Sequence, residues 1–384
     1  MALSYKGSLA TDMISPHGSL LVNRIIENEH DINEIVSREI VNVEITEDVL
    51  LEIENIANGI YSPLTGFPPL KDIDSILSDW TLTNGTVFPI PPLCHINDND
   101  FKRVKENEEI ILLYESVPRA VMHVLEKSNI DKNNYIETIF KTKDTSHPGV
   151  SYVQEINDNI ITGTIEKFGS TNYYYNKDVL TPFQTRREIE KRGWNTITAF
   201  STSNIPHCAH EYLIRIALEI SDGVFIHALS QIDKPPKFTK RQIRDCYLTL
   251  IDNFYPEGNI ILSFLPTVPR SAGSRSSLMQ AIIRQNYGCT HQVFGRDHEG
   301  FKDIYQKYES QQILDKFHGI DIKPIKLREP YYCKKCQCIV TERTCRHENV
   351  GIEISGTNLR EMLDHRREIP EYYIRQEVLD CLNR

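Results

Sequence analysis

Residues 194–229 read WNTITAFSTSNIPHCAHEYLIRIALEISDGVFIHAL, and their pattern decides the architecture of the chain. NTITAF (195–200) is a strand, STSN (201–204) a loop, and VFIHAL (224–229) a second strand. Between them, Pro206 opens a helical stretch over 207–220, because proline suits the first turn of a helix. Working outward, apolar residues over 238–255 recur every three or four positions, as on a helix face. NIILSFLP (259–266) is a third strand, 276–288 a helix ending at Gly288, and HQVFG (291–295) a fourth strand. Strands alternating with helices predict an α/β domain with a parallel sheet. Such sheets bind ligands beyond the carboxyl ends of their strands. Chemistry is therefore expected in the loops that follow these four strands.

Upstream, runs such as NVEITEDVLLEIENIA (42–57), GTVFPIPPLCHI (85–96) and EEIILLYES (108–116) are broken by Asn, Asp, Gly and Pro. They predict a mostly β domain with a few helices. The 384 residues suit two to three domains, and 40% hydrophobic content suffices for packed cores. The net charge of −10 speaks against a nucleic-acid partner, which needs clustered cations. No apolar run reaches the roughly 20 residues of a membrane span, and residues 1–20 lack a signal peptide's apolar core. A cytoplasmic protein with reduced cysteines is expected.

Four stretches carry candidate chemistry. In 201–211, STSNIPHCAHE, His207 and His210 share one face of a first helical turn, where free N–H groups and the helix dipole favour anions. Two imidazoles there suit phosphate oxygens; the plainer alternative is one capping and one packed histidine. Gly295-Arg296-Asp297-His298 follows a strand, with glycine permitting close approach and arginine offering a planar fork of donors. In 354–360, ISGTNLR, Ser355 or Thr357 caps a helix and Arg360 stands one turn on. Cys333-x-x-Cys336 with Cys345-x-His347 fits a closed, structural zinc site, and Cys338 is a spare thiol. Arg270, Gly273 and Arg275 after the third strand, and His227 and Lys234 after the second, are weaker candidates for the same ligand; His17 is read as structural.

Together these pieces resemble the ATP sulfurylase (sulfate adenylyltransferase) family, in its zinc-containing bacterial branch. Pro16-His17-Gly18-Ser19-Leu20 with Val22-Asn23-Arg24 is similar to the family's PHGG-x-L-VNR. Ser62–Phe67 matches SPLTGF, and Asn84-Gly85 before Phe88–Pro91 resembles NG-x-x-WPIP. Arg192-Gly193-Trp194, the HxxH region, Asn286–His291 leading into GRDH, and ISGT-x-L-R then follow in the family's order. The resemblance implies a PUA-like domain (1–168), a Rossmann-like nucleotidylyltransferase domain of the HxGH superfamily (169–320) and a zinc-bearing C-terminal region (321–384). It implies a homodimer that transfers AMP from ATP, with Mg2+, to sulfate by direct in-line attack. His207, His210, Arg275 and Arg296 would be catalytic. Thr202, Asn204, Gly273, Gly295, Asp297, His298, Ser355, Thr357 and Arg360 would join them around ATP.

One departure stands out. The family's QTRNPxHRAHE reads STSNIPHCAHE here, with Ser201 and Ser203 at the Gln and Arg positions. The family's AGPREA reads AGSRSS, which leaves Ser201, Ser203, Arg275 and Ser277 as the expected acceptor-binding set. Charge-assisted hydrogen bonds are worth about 1.5–3 kcal/mol each, so losing an arginine fork matters for a dianion. Sulfate is the first expectation for the acceptor. A different oxyanion or phosphorylated acceptor is the alternative, and a non-catalytic ATP-binding paralogue the third.

Overall fold

The computed structural model describes residues 13–169, 178–231, 238–268, 270–296, 301 and 304–382. Lys234, Asp297 and His298 lie outside the described residues. The first half builds a seven-stranded sheet from β1 (Ile25–Ile26), β2 (Val41–Glu44), β3 (Gly66–Phe67), β4 (Cys94–His95), β5 (Glu109–Tyr114), β6 (Val117–Asn129) and β7 (Asn159–Phe168). Its order is β1-β7-β6-β5-β2, with β3 and β4 also paired to β7. Helices α1 (Glu29–Val36), α2 (Glu47–Ala57), α3 (Leu70–Asp79), α4 (Asp98–Arg103), α5 (Lys132–Phe140) and α6 (Pro148–Glu155) lie between the strands. The run over 42–57 holds one short strand and the helix α2, whose residues Asp48 to Ala57 are all buried.

The second half contains α7 (Pro182–Arg192), β8 (Ile197–Thr202), α8 (Cys208–Ile220), β9 (Gly223–Gln231), α9 (Lys240–Phe254), β10 (Ile260–Thr267), α10 (Ser274–Asn286), β11 (His291–Phe294), α11 (Glu309–Ile313) and β12 (Lys323–Lys326). The strands pair in parallel in the order β10-β9-β8-β11-β12. The four expected strands are present. The fifth, β12, is an edge strand of sequence KPIK with no apolar run to betray it. The order reverses between β8 and β11, which opens a crevice at their carboxyl ends. A three-stranded sheet, β13 (Tyr331–Cys333), β14 (Cys338–Val340) and β15 (Gly351–Glu353), follows with helices α12 (Gly356–Asp364) and α13 (Gln376–Cys381).

The two faces of the parallel sheet bury different partners. Phe200, Ile226 and Phe264 pack with α8 and α9 residues such as Ile214 and Tyr247. Ile197, Ala199, Phe225, Ile261 and Leu265 pack with α10 and with the core of the first half. Helix α10 is therefore buried along its whole length. A helix enclosed on all sides has no water for its polar groups, so each must find a partner or serve a site.

Arg275 illustrates the first outcome and corrects the expectation that it lends charge to the acceptor. Its guanidinium donates to the carbonyls of Ile76 (2.9 Å), Pro89 (2.7 Å) and Leu77 (2.7 Å), and stacks over Trp80. Burial lowers its pKa to about 10, which leaves it charged at neutral pH. Ser277 is likewise fully buried and donates to Ser310 Oγ at 2.8 Å instead of facing a ligand. Asn286 completes the seam: its amide donates to the Ile60 and Ser62 carbonyls and its oxygen accepts from the His17 backbone. His17 is buried and structural, with Nε2 2.7 Å from the Val87 carbonyl.

The seam generates a test. Arg275→Met removes three bonds from a charged donor and leaves the Pro89 and Leu77 carbonyls without it, while the Ile76 carbonyl keeps the Trp80 N–H at 3.2 Å. Denaturant unfolding should report a loss of about 3–5 kcal/mol. A loss below about 1 kcal/mol would show that those carbonyls find other partners.

Candidate active site

Strand β8 ends at Thr202, and a tight turn leads into α8. Thr202 Oγ1 accepts from the Asn204 backbone N–H at 3.1 Å, which holds the turn. Helix α8 starts at Cys208, so Pro206 precedes the helix instead of opening it. The residue that closes the end is His207. Its backbone is extended (φ −134°, ψ 169°), and its Nδ1 accepts from the His210 backbone N–H at 3.3 Å. An Nδ1 that accepts is unprotonated, so the neutral ring carries its proton on Nε2. The cap thus turns His207 into a fixed hydrogen-bond donor at the positive end of the helix.

His210 lies against it, with ring centroids 3.7 Å apart and planes 22° from parallel. Phe200 meets His210 edge-on, and the Tyr247 hydroxyl lies 3.3 Å from its Nδ1. Burial, with the neighbouring His210 in second place, holds His207 well below the usual imidazole range. Burial alone lowers His210 to about 4. Two stacked rings in this space are neutral near pH 7. A bound polyphosphate would supply the anion that makes protonation favourable. The pair caps the helix.

The C-terminal region closes over this turn. Ser355 caps α12 by accepting from the Asn358 N–H at 3.3 Å. Gly356 sits so close to Asn204 that a Cβ would lie 2.7 Å from its carboxamide. Arg360 then donates to Asn204 Oδ1 at 2.6 Å and to Thr357 Oγ1 at 2.8 Å. Arg375 grips Glu211 of α8 through both carboxylate oxygens, and the Cys208 N–H donates to the Tyr373 carbonyl. The sequence reading missed the Arg375–Glu211 pair and Tyr247, since only the fold brings them to α8.

Across the crevice, Gly295 has open space where a side chain would project, and Arg296 forms an ion pair with Glu329. Gly273 precedes α10 with φ 54° and packs against the Tyr305 ring, where a Cβ would come within 2.3 Å. Arg270 is paired with Glu52 of α2 at 2.7 Å and is a link between the halves. Of the acceptor set, Ser203 is exposed at the turn and Ser201 is half-buried at the end of β8. The structure gathers Thr202, Asn204, His207, His210, Ser355, Thr357 and Arg360 into one site, with Gly295 and Arg296 beyond β11. It removes Arg275 and Ser277 from it.

A separate cluster stands in the small sheet. The Sγ atoms of Cys333, Cys336 and Cys345 and Nδ1 of His347 lie within 4.8 Å of one another. Two Sγ–Sγ pairs are 3.6 Å apart, Cys345 to Cys333 and Cys336 to Cys345. Backbone N–H groups of Cys336 and His347 point at Cys333 and Cys345 sulfurs, both at 3.4 Å, as in turns that wrap a metal. Cys338 is exposed and stands apart from the four.

The reversed parallel sheet with a phosphate-suited helix end at its switch point defines a nucleotide-binding α/β protein. The chain belongs to the ATP-sulfurylase family, whose model matches residues 176–384, with a PUA-like domain matched over 14–169. It is 37% identical to the sulfate adenylyltransferase of Staphylothermus marinus over 94% of this chain and 96% of that one. It is 37% identical to that of Ignicoccus hospitalis over 96% and 97%, and 36% to that of Persephonella marina over 96% and 98%. A solved structure titled a hexameric APS kinase from Thiobacillus denitrificans shares the fold, with a TM-score of 0.76 at 21% identity over 97% of this chain and 68% of that one. Among the described residues no helix is long and apolar enough to cross a membrane.

The imidazole pair predicts a pH dependence. Both folded-state pKa values lie below the unfolded value of about 6.5, so the unfolded chain binds more protons on acidification. The contribution to stability is full above pH 6.5 and fades as pH falls toward 4. The melting temperature should drop between pH 7 and pH 5, and His210→Gln should flatten that slope. An unchanged slope in the variant would contradict a buried neutral His210.

Proposed function

We propose that the protein is a sulfate adenylyltransferase: sulfate oxygen attacks the α-phosphorus of ATP, and adenylyl sulfate and pyrophosphate leave. The observation that carries this reading is the His207–His210 pair at the switch point, latched to the C-terminal region through Asn204 and Arg360. Full-length similarity to sulfate adenylyltransferases supports sulfate as the acceptor.

In this reading the Nε2–H of His207 and the ring of His210 donate to the phosphates as negative charge moves onto the departing pyrophosphate. Because His210 is neutral in the free site, phosphate binding draws a proton to the pair. Asn204, braced by Arg360, keeps its carboxamide N–H groups for the nucleotide. Thr202 keeps the turn in place, and Arg296 with Gly295 bounds the opposite side, with Asp297 and His298 next in sequence. Ser201 and Ser203 face the acceptor. Magnesium arrives on the ATP phosphates, since a hard cation prefers their oxygens. The protein contributes positioning and charge stabilisation, as phosphoryl-group chemistry requires.

The serines at 201 and 203 leave the acceptor pocket with hydroxyls where the family has longer groups, which favours a different oxyanion as the second reading. Pyrophosphate release with ATP plus sulfate, then with phosphonates, sulfonates and phosphorylated small molecules, separates them. Sulfate-dependent release at enzymatic rates is expected. Release only with another acceptor would replace sulfate, and ATP binding without any release would make the protein a binding paralogue. Ser203→Arg should lower the sulfate KM by about tenfold if one charge-assisted bond is regained.

The four-residue cluster fits zinc: three thiolates and an imidazole are its preferred donors, and about 3.8 Å is the edge of a tetrahedron around a 2.3 Å Zn–S bond. Cys333, Cys336, Cys345 and His347 would hold the ion and pin the hairpin β13–β14 to β15. With four protein ligands the site is structural. One zinc per chain is expected from metal analysis, falling in Cys333→Ser together with the melting temperature. Equal metal content in the variant would remove Cys333 from the ligand set.

A further inference from the structure

The α10 face of the parallel sheet carries a polar row that the site above does not use. Ser201 of β8 pairs in register with His227 of β9, and His227 with Ser263 of β10. Register partners in a parallel sheet project to the same side. The alternation along β8 confirms that side, since Ile197 and Ala199 pack into the core that α10 occupies. Three polar side chains therefore cross the sheet in a line at its carboxyl end, beneath a helix buried throughout.

Arg284 of α10 meets this row. Its side chain is fully buried, and Nη2 donates to Ser201 Oγ at 3.0 Å. Ser263 is occupied by the Leu180 N–H at 2.8 Å. His227 is completely buried, with its ring against the backbone of Phe264. Tyr287, whose ring centre lies 4.5 Å from that of His227, buries its hydroxyl without a hydrogen-bond partner. Burial and then the charge on Arg284 hold His227 neutral.

Ser201 is the only member of the row that is not fully buried. A hydroxyl whose oxygen accepts from an arginine must direct its own hydrogen elsewhere. Ser201 lies near the carboxyl end of β8 and is partly exposed. A charged donor on the oxygen also makes that hydrogen a stronger donor, as hydrogen-bonded chains polarise one another.

We propose that Arg284 is a positioning residue for the acceptor, which orients and polarises the Ser201 hydroxyl so that it donates to an oxygen of the acceptor oxyanion. The positive charge on the acceptor side of this chain is supplied from inside the fold, through a serine, and His227 and Tyr287 form the neutral polar wall around it. This inference rests on the adenylyl-transfer reading and adds the acceptor's recognition to it.

The test is a double-mutant cycle on Ser201 and Arg284, with KM values for sulfate and ATP measured separately from pyrophosphate release. Ser201→Ala should raise the sulfate KM about tenfold and leave the ATP KM within twofold. Arg284→Gln should raise the sulfate KM at least as much, Arg284→Lys should restore part of it, and Arg284→Gln added to Ser201→Ala should change little. An unchanged sulfate KM in Ser201→Ala, multiplicative effects in the double variant, or equal changes in both KM values would overturn the proposal. If Arg284→Gln does not fold, the Ser201→Ala and Arg284→Lys arms decide alone. No sulfate-dependent release in the unaltered protein would overturn the adenylyl-transfer reading, and this inference with it. Full activity with an indifferent Ser201→Ala would overturn this inference only.

Discussion

A single hydrogen bond organises the site: the His210 backbone N–H donating to His207 Nδ1. It satisfies one of the free N–H groups at the start of α8, fixes where the helix begins and sets the proton of His207 on Nε2. It also brings the two imidazoles into a stack. The strand reversal between β8 and β11 places that helix end at the mouth of the sheet, where free N–H groups and the helix dipole favour an anion. Everything else about the site secures this turn, from Thr202 within it to Asn204 and Arg360 across it.

The charge pattern follows from the same constraint. In a chain of net charge −10, the arginines around the site each meet a defined protein partner. Arg275 and Arg186 spend their donors on backbone carbonyls at the seam between the halves. Arg270 is matched by Glu52 of α2. Arg360 braces the nucleotide turn, and Arg284 reaches Ser201 from within. Burial of α10 between sheet and first half makes this division possible, since a helix end there sees both the domain seam and the crevice.

Much of this was legible in the sequence, because it depends on local pattern. The βαβ periodicity of 194–295 fixed the sheet, Ser355 capped its helix as its position suggested, and Cys333, Cys336, Cys345 and His347 converged as their spacing required. What was illegible depends on distant neighbours. The spacing of Arg275 resembles that of a pocket cation, and only the packing of α3 and Trp80 against it shows three carbonyl partners. Strand β12 has no apolar run, so only its pairing with β11 reveals it. Arg284 sits inside the apolar stretch LMQAIIRQN, where its burial was a signal that periodicity alone does not interpret. Proline favours the first turn, so Pro206 looked like the opening of a helix over 207–220, but His207 took the capping position and the helix starts at Cys208.

In the proposed reaction AMP passes directly from ATP to the acceptor while the protein supplies position and charge. Isotope exchange between labelled pyrophosphate and ATP tests it most directly. Exchange that requires sulfate is the predicted result, since the α-phosphorus leaves pyrophosphate only when an acceptor oxygen attacks it. Exchange with ATP alone would mean that AMP is first transferred to the protein, and absence of exchange with sulfate present would mean that this site does not adenylylate it.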